Sequence, residues 1–356
     1  MACDPVLERC ALAALTAGRA IREAVHAMPP ADRGRPAPAA LKPGEQIVMA
    51  VDAAAEAVGL AHLERLSAEI GCPIALVADA ARGTLLTVGA GGGGERVYAM
   101  LDAVDGTIKV GGLGNPADGS AVRLANDGGW GVGFACTAPT PAALDELRLG
   151  DFAVAAIVDG NPTRVRVHPH EVVALPADGA PAAYDMSDRP AVRAALRRAP
   201  RVFTSTQTTL AQAIVYLDGF QAFDRTSALP GDEALIVALY RRLINRHDGG
   251  AFDAWRQYGN LSALLRMMLG WRGARPWIES QGGAFVVVNE NLANLVPAVP
   301  LILGAGGCSV DFAGRPLAAR RLADGRTSVI HAANDVLRDR LLAIVAAAGA
   351  SPDAAV

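Results

Sequence analysis

The stretch Leu101-Asp-Ala-Val-Asp-Gly-Thr107 decides how this sequence is interpreted, because it places two carboxylates at the end of an apolar run. The run from Val97 to Ala103 predicts a β-strand. We therefore expect Asp102 and Asp105 to lie on a tight turn that follows this strand. A turn made only for structure requires one aspartate, but a surface Asx-type turn remains an alternative interpretation.

Two carboxylates on one turn can direct their oxygen atoms to the same point. The carbonyl of Val104 can join Asp102 and Asp105 there, and such hard oxygen ligands suit Mg²⁺. If Gly106 and Thr107 open a helix, their amides would point at an anion beside the metal. The pattern therefore predicts a site where a metal ion and a phosphate meet.

Helical spacing of apolar residues predicts two helices upstream of this site. The first extends from about Asp4 to Met28 and is followed by a proline- and arginine-rich loop. The second starts after Val51 and continues to about Ile70, with Asp52 as its N-cap or a first-turn residue. The carboxylate of Asp52 would then lie at one end of that helix.

Further strands and one domain boundary follow from the same patterns. Strands are predicted for Pro73 to Ala78, Gly131 to Thr137 and Phe152 to Asp159. A proline- and arginine-rich stretch after residue 176 indicates a boundary, beyond which strand and helix patterns alternate. We expect an α+β domain over residues 1–185 with the metal and phosphate site, and an α/β domain over residues 186–356 with the substrate-recognition segments.

Composition excludes several functional classes. A formal charge of -3 provides no basic field for a nucleic-acid polymer. No apolar run of about 18 residues lacks a break, so a membrane-spanning helix is not expected. The first residues carry no export signal, which favours the cytoplasm. The five cysteines are odd in number and form no C-x-x-C pair, so reduced thiols are expected.

The aspartate stretch resembles the signature Asp-Pro-Ile/Leu-Asp-Gly-Thr/Ser of the inositol monophosphatase and fructose-1,6-bisphosphatase superfamily of Mg²⁺-dependent phosphatases, with Ala103 in place of the proline. Other segments resemble family motifs in the same order along the chain, from about Asp52 to Leu342. These segments are Val51-Asp-Ala-Ala-Ala-Glu56, Tyr258-Gly-Asn-Leu-Ser-Ala263, Gly304-Ala-Gly-Gly-Cys-Ser-Val-Asp311, Gly314-Arg-Pro-Leu317 and Ser328-Val-Ile-His-Ala-Ala-Asn334.

The resemblance implies a layered αβαβα sandwich, a homodimer and hydrolysis of a phosphate monoester by a metal-activated water. Asp52 and Thr107 would orient that water. Gly106, Thr107 and Lys109 would bind the phosphate, although a solvated lysine is an equally good interpretation. The substrate would be a small phosphorylated metabolite such as an inositol phosphate, a sugar phosphate or a nucleotide phosphate.

Substrate recognition is expected in the second domain. Arg256 and Glu279 lie in the segment where family members recognise a sugar or polyol, and surface salt bridges would explain them equally well. The sequence does not distinguish among the substrate classes.

Two departures from the family pattern concern the metal ligands. The family's upstream glutamate is matched only by Asp79, and its late aspartate falls on Asn294. Asp79, Asp102, Val104, Asp105 and Asn294 are therefore the expected Mg²⁺ ligands. Glu290, expected one helical turn before Asn294 and on the same face, could supply the missing charge. The same departures allow an alternative function, in which a non-catalytic relative binds a phosphorylated ligand or partner.

Overall fold

The structure is a computed structural model of the whole chain. The residues that it describes are 5–35, 50–77, 86–89, 94–105, 113–114, 121–122, 130–159, 165–168, 173–175, 204, 206, 208–210, 213–218, 229–244 and 282–349.

The chain divides into two compact units, each of which combines β-sheet with α-helix. The residues of unit 1 are Met1–Ala142, Phe152–Arg201 and Tyr258–Ser262, and those of unit 2 are Ala143–Asp151, Val202–Gln257 and Ala263–Val356. The boundary expected at residues 185–186 lies outside the described residues, so it stays a prediction.

Unit 1 consists of a large mixed sheet and the N-terminal helices. The helices are α1 (Pro5–Ala27), α2 (Pro30–Arg33) and α3 (Ala50–Ile70). The strands are β1 (Ile74–Leu76), β2 (Leu86–Val88), β3 (Val97–Asp105), β4 (Leu113–Gly114), β5 (Ala121–Val122), β6 (Gly131–Thr137), β7 (Phe152–Asp159), β8 (Val165–His168) and β9 (Val173–Leu175). Seven strands form one sheet in the order β2-β1-β3-β6-β7-β8-β9, and β4 pairs with β5.

These elements confirm most of the predicted pattern in unit 1. The strands predicted for Gly131 to Thr137 and Phe152 to Asp159 have those bounds, and both long helices are present. The loop expected after the first helix was partly wrong, because Pro30 begins a short helix there. Proline is well tolerated in a first helical turn, where its missing N–H has no partner to lose.

Helices α1 and α3 cover one face of the large sheet, and glycines let them approach closely. A Cβ added to Gly18 of α1 would stand 2.4 Å from Val158 Cγ2, and one added to Gly59 of α3 would stand 2.3 Å from Leu101 Cδ2. Alternate residues of β3, among them Leu101, belong to the apolar core beneath these helices. Side chains at alternate strand positions point to one face, so this core identifies the helix-facing side of the sheet.

Unit 2 is built on a smaller sheet. Its strands are β10 (Ile214–Asp218), β11 (Gly282–Asn291), β12 (Cys308–Asp311) and β13 (Arg326–Ala332), in the order β10-β11-β13-β12. Its helices are α4 (Asp232–Ile244), α5 (Leu292–Leu295), α6 (Ala298–Gly304) and α7 (Asp335–Gly349). Helices α4 and α7 share one apolar core with alternate residues of β11, namely Ala284, Val286 and Val288.

No helix within the described ranges is both long enough and apolar enough to cross a membrane. The described cysteines are all free thiols, as the sequence led us to expect: Cys10, Cys72, Cys136 and Cys308.

Candidate functional site

The two aspartates of the opening motif lie in strand β3 and not on the tight turn that we expected. Asp102 pairs with Gly133 of β6, and Asp105 pairs with Gly131. Asp102 and Asp105 are three residues apart in β3, whereas their partners in β6 are only two residues apart. This count means that β3 holds one extra residue, which is the definition of a β-bulge.

The bulge decides which side of the sheet the aspartate positions share. In a regular strand, residues three apart lie on opposite faces. Gly131 and Gly133 are two apart in β6, so they lie on one face, and directly paired residues share a face. Positions 102 and 105 therefore fall on the same face of the sheet, beside two residues that have no side chain.

Ala103 and Val104, between the two aspartates, are buried, which agrees with a bulge in β3 and explains why this segment stays in the sheet and does not form the expected tight turn. Ala103 and Val104 are both buried, at 6% and 5% exposure. Both belong to the core beneath α1 and α3. A surface Asx-type turn would expose this segment, whereas the apolar pair holds it in the sheet. Asp102 itself is partly buried.

Asp52 lies in the first turn of α3, as predicted. Helix α3 turns back into β1 through the segment from Gly71 to Pro73, and β1 runs parallel to β3. Helix α3 therefore runs antiparallel to β3. The first turn of α3, with Asp52, consequently lies toward the end of β3 that carries Asp102 and Asp105.

The late acidic segment lies in unit 2, at the end of β11. Glu290 is only 1% exposed. Its Oε1 atom accepts hydrogen bonds from the backbone N–H of Asn291 at 2.8 Å and from Asn294 Nδ2 at 2.9 Å. The expectation that Glu290 lies one helical turn before Asn294 is wrong, because the strand continues to Asn291 and the helix begins at Leu292. The two side chains nevertheless meet.

The remaining predicted site residues lie outside the described residues: Asp79, Gly106, Thr107, Lys109, Arg256 and Glu279. The side chain of Asp105 lies outside them as well. Among the side chains that the structure describes, no three histidine, cysteine or acidic groups are close enough to hold a metal ion. The donor set that the sequence predicts extends beyond that part of the chain.

Sequence reasoning missed Asn289, which precedes Glu290, and its hydrogen-bond partner Asp232. Asn289 is buried and its backbone φ is 56°. Its Nδ2 donates a hydrogen bond to Asp232 Oδ2 at 2.8 Å, and Asp232 is buried at the start of α4. The available signal was the run Asn289-Glu-Asn291, which interrupts an apolar strand with three polar residues.

A buried histidine also lies in the sheet of unit 2. His331 is completely buried, and its Nδ1 lies 2.8 Å from Ser309 Oγ. Burial lowers the pKa of His331 to about 3, because the surroundings disfavour a charged ring. This histidine is therefore neutral near pH 7 and does not supply a positive charge for a phosphate.

Comparison with known proteins gives matches among solved structures alone. No protein-family model matches the chain, and no curated protein matches it. Fructose-1,6-bisphosphatase of Leishmania major is 14% identical with a TM-score of 0.63, over 94% of this chain and 93% of that one. The extragenic suppressor protein SuhB of Bartonella henselae is 14% identical with a TM-score of 0.59, over 96% and 98%.

The inositol monophosphatase (IMPase) of Thermotoga maritima is 13% identical with a TM-score of 0.57, over 94% of this chain and 95% of that one. Identities this low establish the fold and not the activity. The chain therefore has the α/β sandwich fold of inositol monophosphatases and fructose-1,6-bisphosphatases. The resemblance noted in its motifs is confirmed at that level.

Proposed function

We propose that this protein is a Mg²⁺-dependent phosphatase that hydrolyses a phosphate monoester of a small metabolite. The observation that carries the proposal is the bulge of β3, which assigns positions 102 and 105 to one face of the sheet. Helix α3 covers the other face of the sheet, and its direction brings its first turn, with Asp52, toward the end of β3 that carries positions 102 and 105. Solved structures with this fold include enzymes named as phosphatases of sugar and inositol phosphates, which supports the same reaction class.

The donor chemistry in unit 1 fits Mg²⁺. Asp102, Asp105 and the carbonyl of Val104 supply hard oxygen atoms, and Asp79 would add a carboxylate. When bound, Mg²⁺ would lower the pKa of a water molecule and neutralise charge on the leaving oxygen. Gly131 and Gly133, which pair with positions 105 and 102, add no side chains of their own there, which suits a site that must admit a cation and a substrate.

In unit 2 we propose Glu290 as the acidic metal ligand in place of Asn294. The amide nitrogen of Asn294 already donates to Glu290 Oε1, so Asn294 orients the carboxylate. A carboxylate attracts a divalent cation more strongly than a neutral amide does at the same distance. This assignment restores the charge that the comparison of motifs had found missing.

The other predicted residues keep their proposed roles. Asp52 and Thr107 would orient the attacking water by hydrogen bonds, and the amides of Gly106 and Thr107 would bind the phosphate together with Lys109. Arg256 and Glu279 would contact the remainder of the substrate. The homodimer and the cytoplasmic location stay predictions.

A phosphate-release screen tests the proposal directly. Inositol phosphates, fructose bisphosphate, other sugar phosphates and nucleotide phosphates would each be incubated with the protein and Mg²⁺, with parallel reactions in excess EDTA. We expect release from at least one class and none in EDTA. Full activity in EDTA would overturn the mechanism, because the sequence shows no nucleophile constellation to replace a metal.

The same screen distinguishes the non-catalytic alternative. Calorimetric titration of each compound into the protein would reveal a ligand that binds without being hydrolysed. Tight binding of one compound with no phosphate release in Mg²⁺ would favour a binding protein and contradict the enzyme.

A further inference from the structure

We propose that Asn289 is a positioning residue that sets which face of the unit 2 sheet carries the Glu290 carboxylate. This inference rests on the proposed role of Glu290 as a metal ligand. It concerns a residue whose side chain is directed to helix α4 and not to Glu290.

The pairing of β11 with β13 shows that Glu290 follows a bulge. Val287 pairs with Val329, and Glu290 pairs with Thr327. Val287 and Glu290 are three residues apart in β11, whereas their partners in β13 are two residues apart. Strand β11 therefore contains one extra residue between these pairs.

Without that extra residue, Glu290 would lie on the opposite face. Ala284, Val286 and Val288 alternate along β11 and belong to the apolar core beneath α4 and α7. In a regular strand, position 290 would continue this series and direct a carboxylate into the core. A charge there is costly unless it is paired. The bulge instead assigns Glu290 to the face of Val287 and Val329, away from α4 and α7.

The backbone conformation of Asn289 produces the bulge. Among the residues that the structure describes, Asn289 is the one non-glycine residue with positive φ, at 56°. This left-handed region is strained for a residue that has a side chain. Asparagine tolerates the region better than most residues do.

Three hydrogen bonds hold Asn289 in this conformation. Its Nδ2 donates to Asp232 Oδ2 at 2.8 Å, its backbone N–H donates to Ser328 Oγ at 3.0 Å, and its carbonyl accepts from Arg326 Nη1 at 2.7 Å. Asp232 Oδ2 also accepts from the backbone N–H of Leu229 at 2.8 Å, so the carboxylate is itself fixed. A strained backbone that several elements hold in place is typical of a site where geometry matters.

Removing the side chain of Asn289 tests the inference through metal affinity. Mn²⁺ serves as the probe, and free Mn²⁺ is measured by electron paramagnetic resonance in solutions of folded protein. We expect Asn289→Ala to weaken Mn²⁺ binding about 10- to 100-fold, the usual effect of losing a group that orients a ligand. Asn289→Gly keeps access to the left-handed region and should lose less affinity than Asn289→Ala.

A matched control separates positioning from general stability. Asn334 Oδ1 accepts a hydrogen bond from the backbone N–H of Leu337 at 3.0 Å at the start of α7. Asn334→Ala should lower the melting temperature and leave Mn²⁺ affinity unchanged. If Asn289→Ala does the same, Asn289 is only structural and the inference is wrong. If Asn289→Ala does not fold, the Mn²⁺ affinity of Asn289→Gly decides instead. An affinity equal to that of the wild type would show that the hydrogen bond from Asn289 Nδ2 to Asp232 does not position Glu290, and the inference would be overturned.

A further variant separates this inference from the proposed function. Glu290→Gln should weaken Mn²⁺ binding at least as much as Asn289→Ala does. If Glu290→Gln has no effect, Glu290 is not a metal ligand, and the inference is overturned with that assignment. If Glu290→Gln weakens binding and neither variant of Asn289 does, the positioning role alone is wrong and the proposed function stands.

Discussion

Strand β3 of unit 1 and strand β11 of unit 2 each carry an acidic residue near their end, on the face of the sheet away from the helices, but different interactions hold the two strand ends. Each strand contains a bulge just before an acidic residue, and each bulge assigns that acid to the face away from the covering helices. In β3 the extra length is taken up by the apolar pair Ala103 and Val104, both buried in the core. In β11 it is taken up by Asn289, which hydrogen bonds hold in a left-handed conformation.

The difference teaches what each bulge depends on. Burial of apolar side chains is non-directional, so the bulge of β3 should respond to changes in volume. Hydrogen bonds are directional, so the bulge of β11 should respond to changes in polar groups and backbone freedom. Substitutions that remove charge, volume or a hydrogen-bond donor distinguish these two dependences.

Loss of charge at the β3 bulge should abolish activity without unfolding the protein. Asp105→Asn and Asp102→Asn should each lower phosphate release by more than about 100-fold, because a direct ligand matters at least as much as a residue that supports one. The control Asp145→Asn changes an exposed residue and should retain full activity. Turnover like that of the wild type in Asp105→Asn, with circular dichroism unchanged, would refute the metal assignment.

Loss of volume at the same bulge should mainly lower stability. Val104→Ala deletes two buried methyl groups and should reduce the free energy of unfolding by about 2 kcal/mol, measured in guanidinium chloride with EDTA present. Val336→Ala makes the same chemical change at a residue that is 45% exposed and should stay within about 0.5 kcal/mol. Equal effects of the two variants would mean that burial does not hold the bulge of β3.

Acid should destabilise the sheet of unit 2, because His331 is buried there on the face that also carries Glu290. The pKa of His331 is lowered by burial to about 3 from a usual 6.5. The stability that neutral His331 contributes to the fold is therefore fully present above the pKa of histidine in the unfolded chain, and it is lost as pH falls toward the pKa in the folded protein. Between about pH 7 and about pH 5, the wild type should lose about 2 kcal/mol relative to His331→Gln. Parallel pH profiles of unfolding free energy would show that His331 is not buried in its neutral form.

The smallest expected effect concerns Asn294 and discriminates between two interpretations of that residue. If Asn294 were a ligand, Asn294→Asp would lower the Mg²⁺ concentration for half-maximal activation. The hydrogen bond from Asn294 Nδ2 to Glu290 Oε1 predicts the opposite, because aspartate removes the donor and places a like charge nearby. We expect a rise of about threefold, corresponding to the loss of one modest hydrogen bond. Asn334→Asp is the matched control and should leave the titration unchanged.

Local sequence patterns were sufficient for many elements of the fold. Helix α3 with Asp52 in its first turn, and strands β6 and β7, follow from spacings of about 3.6 and 2 residues that a short window contains. The ordered motifs also predicted the fold that the solved structures share. The helical turn expected from Glu290 to Asn294 was wrong, because their spacing suits one face of a helix but the strand continues to Asn291.

The sequence by itself determined that Asp102 and Asp105 follow an apolar strand, and it indicated Glu290 as a source of the charge missing at Asn294. Only the tertiary structure decided which face of each sheet those positions occupy. One extra residue reverses the face of every position after it, and its place depends on the partner strand. In β11 it also depends on Asp232, which lies 57 residues before Asn289. Contacts across such distances leave no periodic signal in the sequence, because they are formed only when the helices and sheets pack.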